Sequence, residues 1–565
     1  MKTFFHLYIA IFTTLVLTVS AFAQTADPPS GSGTLGDPYL IATLNNLYWI
    51  TQNSGEWGKV YKQTADIDAT TDSTWDGKQG FTPIGNDTTN FTGSYDGQTY
   101  KITGLYINRS TNYQGLLGYV NSAAITNIKL EGVNIFYCGG SVGGLIGYQV
   151  GGTVTNCYST GYVTGYCVGG LIGEQHGGTV SNCYSAGDVF GMGAGGLIGE
   201  QDGGTVSNCY STGPVEGYSV CVGGLIGDQK NSATVSDCYS TSSVTGSHIF
   251  CGGLIGFQEN STASNCHSTG FVEAHGLSSV VGGLIGLQRG SIIANCYSTG
   301  DIYGFCVGGL IGWQDSGTIS NCYSTGPVDG GFGSVGGLIG GQDGGTISNC
   351  YCTGPVEGYS GSVGGLIGNQ SGIVSNCFST GNVHSFDTDA GGLIGEQKSG
   401  TASNCFWDIQ TSNQLSSAGG IGKSTSAMKT QSTFIGAGWD VTIWSMEHGK
   451  NNGYPYLKWQ YLPLPVELTE VEIRVVPKEL TLAQNYPNPF NPSTTMEFTV
   501  PENGRASLKI YNTIGQLVAT AFDGDVNAGN IQKVTFTASH LSSGVYFSRL
   551  EYNGKTLLKK LVLMK

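Results

Sequence analysis

Gly-Gly-Leu-Ile-Gly begins ten times in this chain, at Gly143, Gly169, Gly195, Gly223, Gly252, Gly282, Gly308, Gly336, Gly364 and Gly391, at intervals of 26 to 30 residues. A weaker copy, Gln114-Gly-Leu-Leu-Gly118, precedes them. Two more columns keep time with the motif. Gln stands seventh in each full copy, from Gln149 to Gln397, and a Cys follows Asn in nine of the ten, Asp237-Cys238 replacing Asn-Cys in the other. A fixed period of this size marks a solenoid, whose units bury an apolar face only against one another. The units have no helical composition. Short Val/Ile/Thr/Tyr runs punctuated by Gly divide each into about three strands, GGLIGxQ, GTVSNCYS and a returning xVxG. The fold expected is all-β: a right-handed parallel β-helix of about 11 coils, rising ~4.8 Å per coil.

Stacking puts like residues on like. Asn and Gln amides can donate to one rung and accept from the other, and Gly is needed where φ is positive or where coils approach closely. Stacked Cβ atoms ~4.8 Å apart exceed the ~3.8 Å that a disulfide prefers. The Cys column therefore reads as small reduced thiols. No C-x-x-C pair exists, and no metal site or cofactor is expected.

From Gly-Gly to the column Cys the distance is 14 residues in eight of ten copies, whereas from that Cys to the next Gly-Gly it takes the values 12, 14 and 16. Only even steps occur, as they must if a strand is to keep its buried face buried. Variation thus collects along one edge of the rod. That edge carries Tyr166, Tyr218, Phe250, Phe305, Phe332 and Tyr359 beside Glu216, Glu273, Asp329 and Glu357. Aromatic faces with nearby carboxylates suit sugar rings, so these are the candidate ligand-binding residues. Packing between neighbouring loops is the alternative reading of the same aromatics.

Chemistry is sparse. Between residues 143 and 405 the only basic residues are Lys230, Arg289 and Lys398, on different rungs, which supplies no lyase cluster. Carboxylates recur at about one per rung, and an inverting hydrolase needs only two, ~6.5–9.5 Å apart. A polysaccharide-degrading enzyme is therefore the rival to a non-enzymatic rod, and a plain spacer is the third reading. No H-E-x-x-H occurs, and Ser417–Ser424 departs from a phosphate-binding loop at its first position. No catalytic residue is assigned.

The flanks set the compartment. Lys2, an apolar run from Phe4 to Val19 and Ala21-Phe22-Ala23 read as a signal peptide over 1–23. No later run is long enough to span a membrane. A formal charge of −15 argues against nucleic acid as a partner. Residues 24–113 are expected to form N-terminal capping coils, with a short helix near Leu44–Thr51, and 114–408 the repeat rod. Residues 409–461 follow as a C-terminal cap, and 462–479 as a Pro-containing linker. The final segment, 480–565, lacks Cys, alternates like strands and carries a hairpin turn at Asn553-Gly554, which suggests a small β-sandwich.

Two resemblances rest on these residues. The Gly-Gly-Leu-Ile-Gly units over 114–408 resemble the GLUG repeat of bacterial surface proteins, some of them adhesin-like. The tail, with "LAQNYPNPFNPST" (482–494), "LKIYNTIGQLV" (508–518), "LSSGVYFSRL" (541–550) and the terminal "KKLVLMK", resembles the type A sorting domain of the type IX secretion system of Bacteroidota. The second resemblance implies Sec export, passage across the outer membrane and the secretion machinery as a partner. Its signature positions would be Pro487, Pro489, Gly515, Gly544, Lys559 and Lys560, an address rather than a reactive site. Together they imply a secreted or surface-displayed rod acting in adhesion, or in binding surface glycan or extracellular matrix.

Overall fold

The computed structural model describes residues 24–461, except 248–249, 387–389 and 448, and residues 480–564, except 483–484, 486–487, 502–503, 527–531 and 539–540; at 137–138 it describes the backbone alone. The expected signal peptide and linker, and Pro487, lie outside the described residues. The chain divides into two units, one ending at Leu462 and the other beginning at Pro463.

The first unit is a parallel β-solenoid of about 11 turns. Equal positions pair in register from coil to coil, for example Ile172↔Ile198↔Ile226 and Gln175↔Gln201↔Gln229. One coil shows the plan. Ile198–Asp202 lies in an 11-stranded sheet, the Gln face, and Thr205–Ser207 in a 14-stranded sheet, the Thr face. Tyr210–Ser211, Val215–Gly217 and Cys221–Gly223 form a third, bent face, which closes the coil. Leu, Ile, Val and Cys side chains point inward and make one continuous core from Ile41 to Trp407.

The structure corrects the expected second strand. GTVSNCYS is cut, because the Asn before each column Cys has positive φ: Asn182 at 53°, Asn208 at 51° and Asn295 at 54°. Thr-Val-Ser therefore ends one face and Tyr-Ser opens the next. Asn is among the few side chains that tolerate this left-handed conformation, and Asp237 (φ 54°) is the other kind. The corner amides also bridge coils, Asn295 Nδ2 donating to Asn265 Oδ1 (3.2 Å) and Asn265 Nδ2 to Asp237 Oδ1 (3.1 Å). The Gln column behaves differently. Gln258 and Gln229 link rung to rung at 2.7 Å and 3.1 Å, but Gln288 and Gln370 turn to the carbonyls of Ser291 and Gly372 in their own coil.

Glycine has two uses here. Gly203 and Gly204 (φ 72° and 75°) turn the chain from the Gln face to the Thr face. Gly195 and Gly196 serve close approach instead, since a Cβ there would collide with the carbonyl oxygens of Ile198 and Gly224. The fifteen described cysteine side chains are all unpaired. The column thiols are buried, with Cys183 Sγ donating to Ser181 O and its backbone N–H to Cys209 Sγ at 3.4 Å.

At the start of the rod, Tyr39–Ile41, Val60–Gln63 and Ser94–Asp96 extend the Thr face by three rungs. The helix Leu44–Gln52, capped by Thr43 in a capping box with Asn46, buries Leu47 and Ile50 against the first coil. At the other end, residues beyond the coil strand Ile421–Lys423 fold back outside the rod. Trp439, Trp444 and Trp459 lie against a column of stacked rings and bond to Asn404, Asn349 and Asn321, three of the last four corners.

The second unit holds two antiparallel sheets about one core. Thr481–Leu482, Ser493–Thr499 and Gln532–Thr537 form one, and Leu517–Val526, Gly504–Asn512, Gly544–Tyr552 and Lys555–Leu563 the other. Met496, Phe498, Leu508, Ile510, Leu550 and Leu561 fill the space between. Asn553 and Gly554, at φ 43° and 76°, make the hairpin turn. Gly515 (φ 81°) sits in another turn, Gly544 opens a strand, and Lys559 and Lys560 lie in the last strand, where Lys560 O accepts from Asn488 Nδ2 beside Pro489 (3.1 Å).

Candidate functional site

The insertions of two fall between the Val-x-Gly and Val-Gly strands of the bent face. In two of the shortest coils these merge, in Tyr158–Gly169 and Asp188–Gly195. In longer ones the chain bulges, with Tyr218 between Val215–Gly217 and Cys221–Gly223, and Tyr359 between Val356–Gly358 and Val363–Gly364. A bulge leaves the ladder, so its side chains are free of the core. Tyr218, Phe332 and Tyr359 there are 45%, 63% and 51% exposed, while Tyr166, within the continuous strand Tyr158–Gly169, is 56% exposed.

The ten edge residues do not form one site. Tyr166 stands apart near the rod's start. Tyr218 contacts Phe190 (5.5 Å), and Phe250 turns to the Gln face against Phe257 (5.7 Å). Phe305 is half-buried. Phe332 and Tyr359, by contrast, meet at 6.4 Å, and Phe386 continues the row at 4.8 Å from Tyr359. Phe190, Tyr303 (one rung before Asp329) and Phe386 are aromatics of this face that the sequence reading left out. Phe190 and Tyr303 stand at the middle of the Val/Ile-x-Gly step and Phe386 directly follows Val383–Ser385, which was the available signal.

The four acidic residues share one column: Phe190↔Glu216↔Thr245↔Glu273↔Tyr303↔Asp329↔Glu357↔His384. Glu273 pairs with His275 (3.1 Å). Asp329 and Glu357 sit on adjacent rungs. Burial, and then the Glu357 charge, raise the Asp329 carboxyl above its ordinary range, and Asp329 Oδ1 is buried with no hydrogen-bond partner. His384 follows Glu357 in the column; Lys230 and Arg289 are engaged on the Gln face by Glu200, and by Glu259 and Asp315.

A second aromatic surface follows the Cys column. Tyr184, Tyr210, Tyr239, His267, Tyr297, Tyr323 and Tyr351 stack at 4.7–5.1 Å with planes within 8° of parallel. Each ring's faces are occupied by its neighbours, so the column presents edges and hydroxyls outward. It cannot cradle a sugar face. Trp459 and Trp444 cover its later members, the first over Tyr297 and Tyr323, the second against Tyr351 and Phe378. The recurrent Cys-Tyr-Ser triplet is its mark in the sequence.

Comparison with known proteins matches this organisation. The "Secretion system C-terminal sorting domain" matches residues 484–564, and "The GLUG motif" matches 139–164, 164–189, 190–215, 278–303 and 303–329. The chain thus carries GLUG repeats and a type IX sorting tail, which directs it to the cell surface or the extracellular space. Halomucin of Haloquadratum walsbyi is 38% identical over 143 residues, 24% of this chain and 2% of that protein. A putative Gly-rich membrane protein of Evansella cellulosilytica is 33% identical over 162 residues, 27% of this chain and 18% of that protein. The chain therefore spans a small part of either relative. Among the described residues, no helix is long and apolar enough to cross a membrane.

Proposed function

We propose that this exported rod is a non-enzymatic adhesive protein that binds extended surface polysaccharide along its variable edge. The observation that carries the reading is the row Phe332, Tyr359 and Phe386, each more than half exposed, beside the Asp329–Glu357 column. Tyr359 and Phe386 spend one face on each other at 4.8 Å, so the row offers its outer faces and edges, an apolar strip along successive rungs that suits a polymer repeating its own apolar faces, and the carboxylates accept its hydroxyls. Immobilised polysaccharides are expected to retain the mature chain, with Tyr359→Ala plus Phe386→Ala lowering retention about tenfold, near the sum of two stacking contacts. Equal retention by the double variant would sink the reading.

One observation favours a second reading. Asp329 and Glu357 are register partners on adjacent rungs, a placement from which two carboxyls can reach the ~5–5.5 Å that a retaining glycosidase uses. Asp329, with its carboxyl raised, would be the acid and Glu357 the nucleophile. New reducing ends that vanish in Glu357→Gln would establish that reading over the first.

A further inference from the structure

The Gln face carries a cluster that no sequence motif announces. Its outward positions stack Tyr148, Glu174, Glu200 and Asp228 in one column, and Val150, His176, Asp202 and Lys230 in the column two residues on. Four carboxylates on three successive rungs thus face one ammonium and one imidazole. Like charges stacked in register destabilise a sheet unless something neutralises them.

The arrangement holds its donors in place. One candidate ligand atom from each of Glu174, His176 and Glu200 lies within 4.8 Å of the other two. Two ligands on one ion, with bonds of ~2.0–2.2 Å, stand at most ~4.4 Å apart, so small side-chain rotations suffice. Each donor also has an outer support. Ser141 Oγ donates to Glu174 Oε1 (2.6 Å), leaving Oε2, which is 3.3 Å from His176 Nε2. Lys230 Nζ holds Glu200 Oε1 at 2.6 Å, leaving the other oxygen. The His176 ring stacks on Tyr148 at 4.6 Å, and its Nδ1 lies 3.7 Å from Asp202 Oδ2. Such outer partners fix the orientation of metal ligands. On the next rung, Asp228 Oδ1 is buried without a hydrogen-bond partner. The side chains of Glu174, His176 and Glu200 keep 21%, 29% and 23% of their surface, so an ion can reach them.

We propose that Glu174, His176 and Glu200 form a surface site for a divalent cation of the zinc class. An imidazole with two carboxylates suits Zn²⁺ and its transition-metal neighbours, whereas Ca²⁺ takes six to eight oxygens. The site would clamp two rungs together at a point of excess negative charge.

Calorimetric titration of the mature full-length chain with Zn²⁺ alone, under reducing conditions, tests this. One equivalent is expected to bind with an affinity that falls at least tenfold in His176→Gln and in Glu174→Gln, and stays unchanged in His384→Gln. Circular dichroism before titration checks that each variant is folded; His176 lies on the surface, so its replacement leaves the core intact. No binding, or binding that both variants retain, which would assign it to thiols elsewhere, overturns the proposal.

Discussion

Single residues in this rod answer to the column they occupy. His267 takes a Tyr position in the ring stack, 5.1 Å from Tyr239 and 4.7 Å from Tyr297. Burial lowers its imidazole below the ordinary value, so the proton is favoured in the unfolded chain. Its contribution to stability is held above pH ~6.5 and lost as the pH falls through that value. His267→Tyr should remove that acid dependence and raise stability by about 0.5–1.5 kcal/mol at pH 7 through better stacking; urea melts at pH 5 and pH 7 check both. Asp72 has the opposite sign. It is fully buried, accepts the Tyr106 N–H at 3.2 and 3.1 Å, and burial pushes its carboxyl up to about 8. The folded chain holds this proton where the unfolded chain has released it. Stability should therefore fall as pH rises from ~4 towards 8, and Asp72→Asn should flatten that slope in the same melts.

A coil is stable only as part of a stack, so element-scale changes act on two interfaces at once. Gly223 has no room for a Cβ, which would strike the carbonyl of Ile198's counterpart in its own coil, Ile226. Gly223→Ala in the middle of the rod should cost about 1–3 kcal/mol or more by distorting the corner of its own coil and crowding Gly256 N of the next, 2.7 Å from that Cβ. Gly177→Ala meets open space but sits at φ 71°, and should cost the smaller strain of a left-handed residue, about 1 kcal/mol. The ratio of the two, read from thermal melts, separates close approach from backbone strain as the reason for glycine. The same logic explains Asp237. It keeps both the left-handed corner and an acceptor for Asn265, so this one departure from the Asn column leaves the corner intact.

At the scale of the molecule, the residues after Lys423 bind several coils together along one flank. Trp439 is 4% exposed and packs on Phe378, Phe406, Phe434 and Trp444. Trp439→Ala should cost about 3–5 kcal/mol, lifting this segment from the ring stack, as thermal melts would report. The sorting tail has a separate task. In the secreting host, a chain ending before residue 480 should fold yet fail to appear outside the cell, a result that fractionation followed by immunoblotting reads directly.

The period, the parallel stacking and the register were legible because each is a property of the backbone repeated in space. Ten copies at 26–30 residues, with even insertions from each column Cys to the next Gly-Gly, admit one kind of coil, and repeated residues meet their like. The sorting tail was legible as an address because its segments stand intact in the chain. What the sequence left open depends on direction and distance. Composition could not tell that Asn208 is a corner rather than mid-strand, since Thr-Val-Ser-Asn-Cys-Tyr-Ser reads as one β run until φ turns positive. It could not place Trp459 on Asn321, 138 residues away. Nor could it separate rings covered on both faces by their neighbours, as in Tyr210 and Tyr323, from rings that stay more than half exposed, as in Phe332 and Tyr359. Glu174, His176 and Glu200 come together only when one coil is laid on the next. Local preference writes the path of one coil, but the lateral neighbours of a side chain are set by the stack, and chemistry on a solenoid happens between rungs.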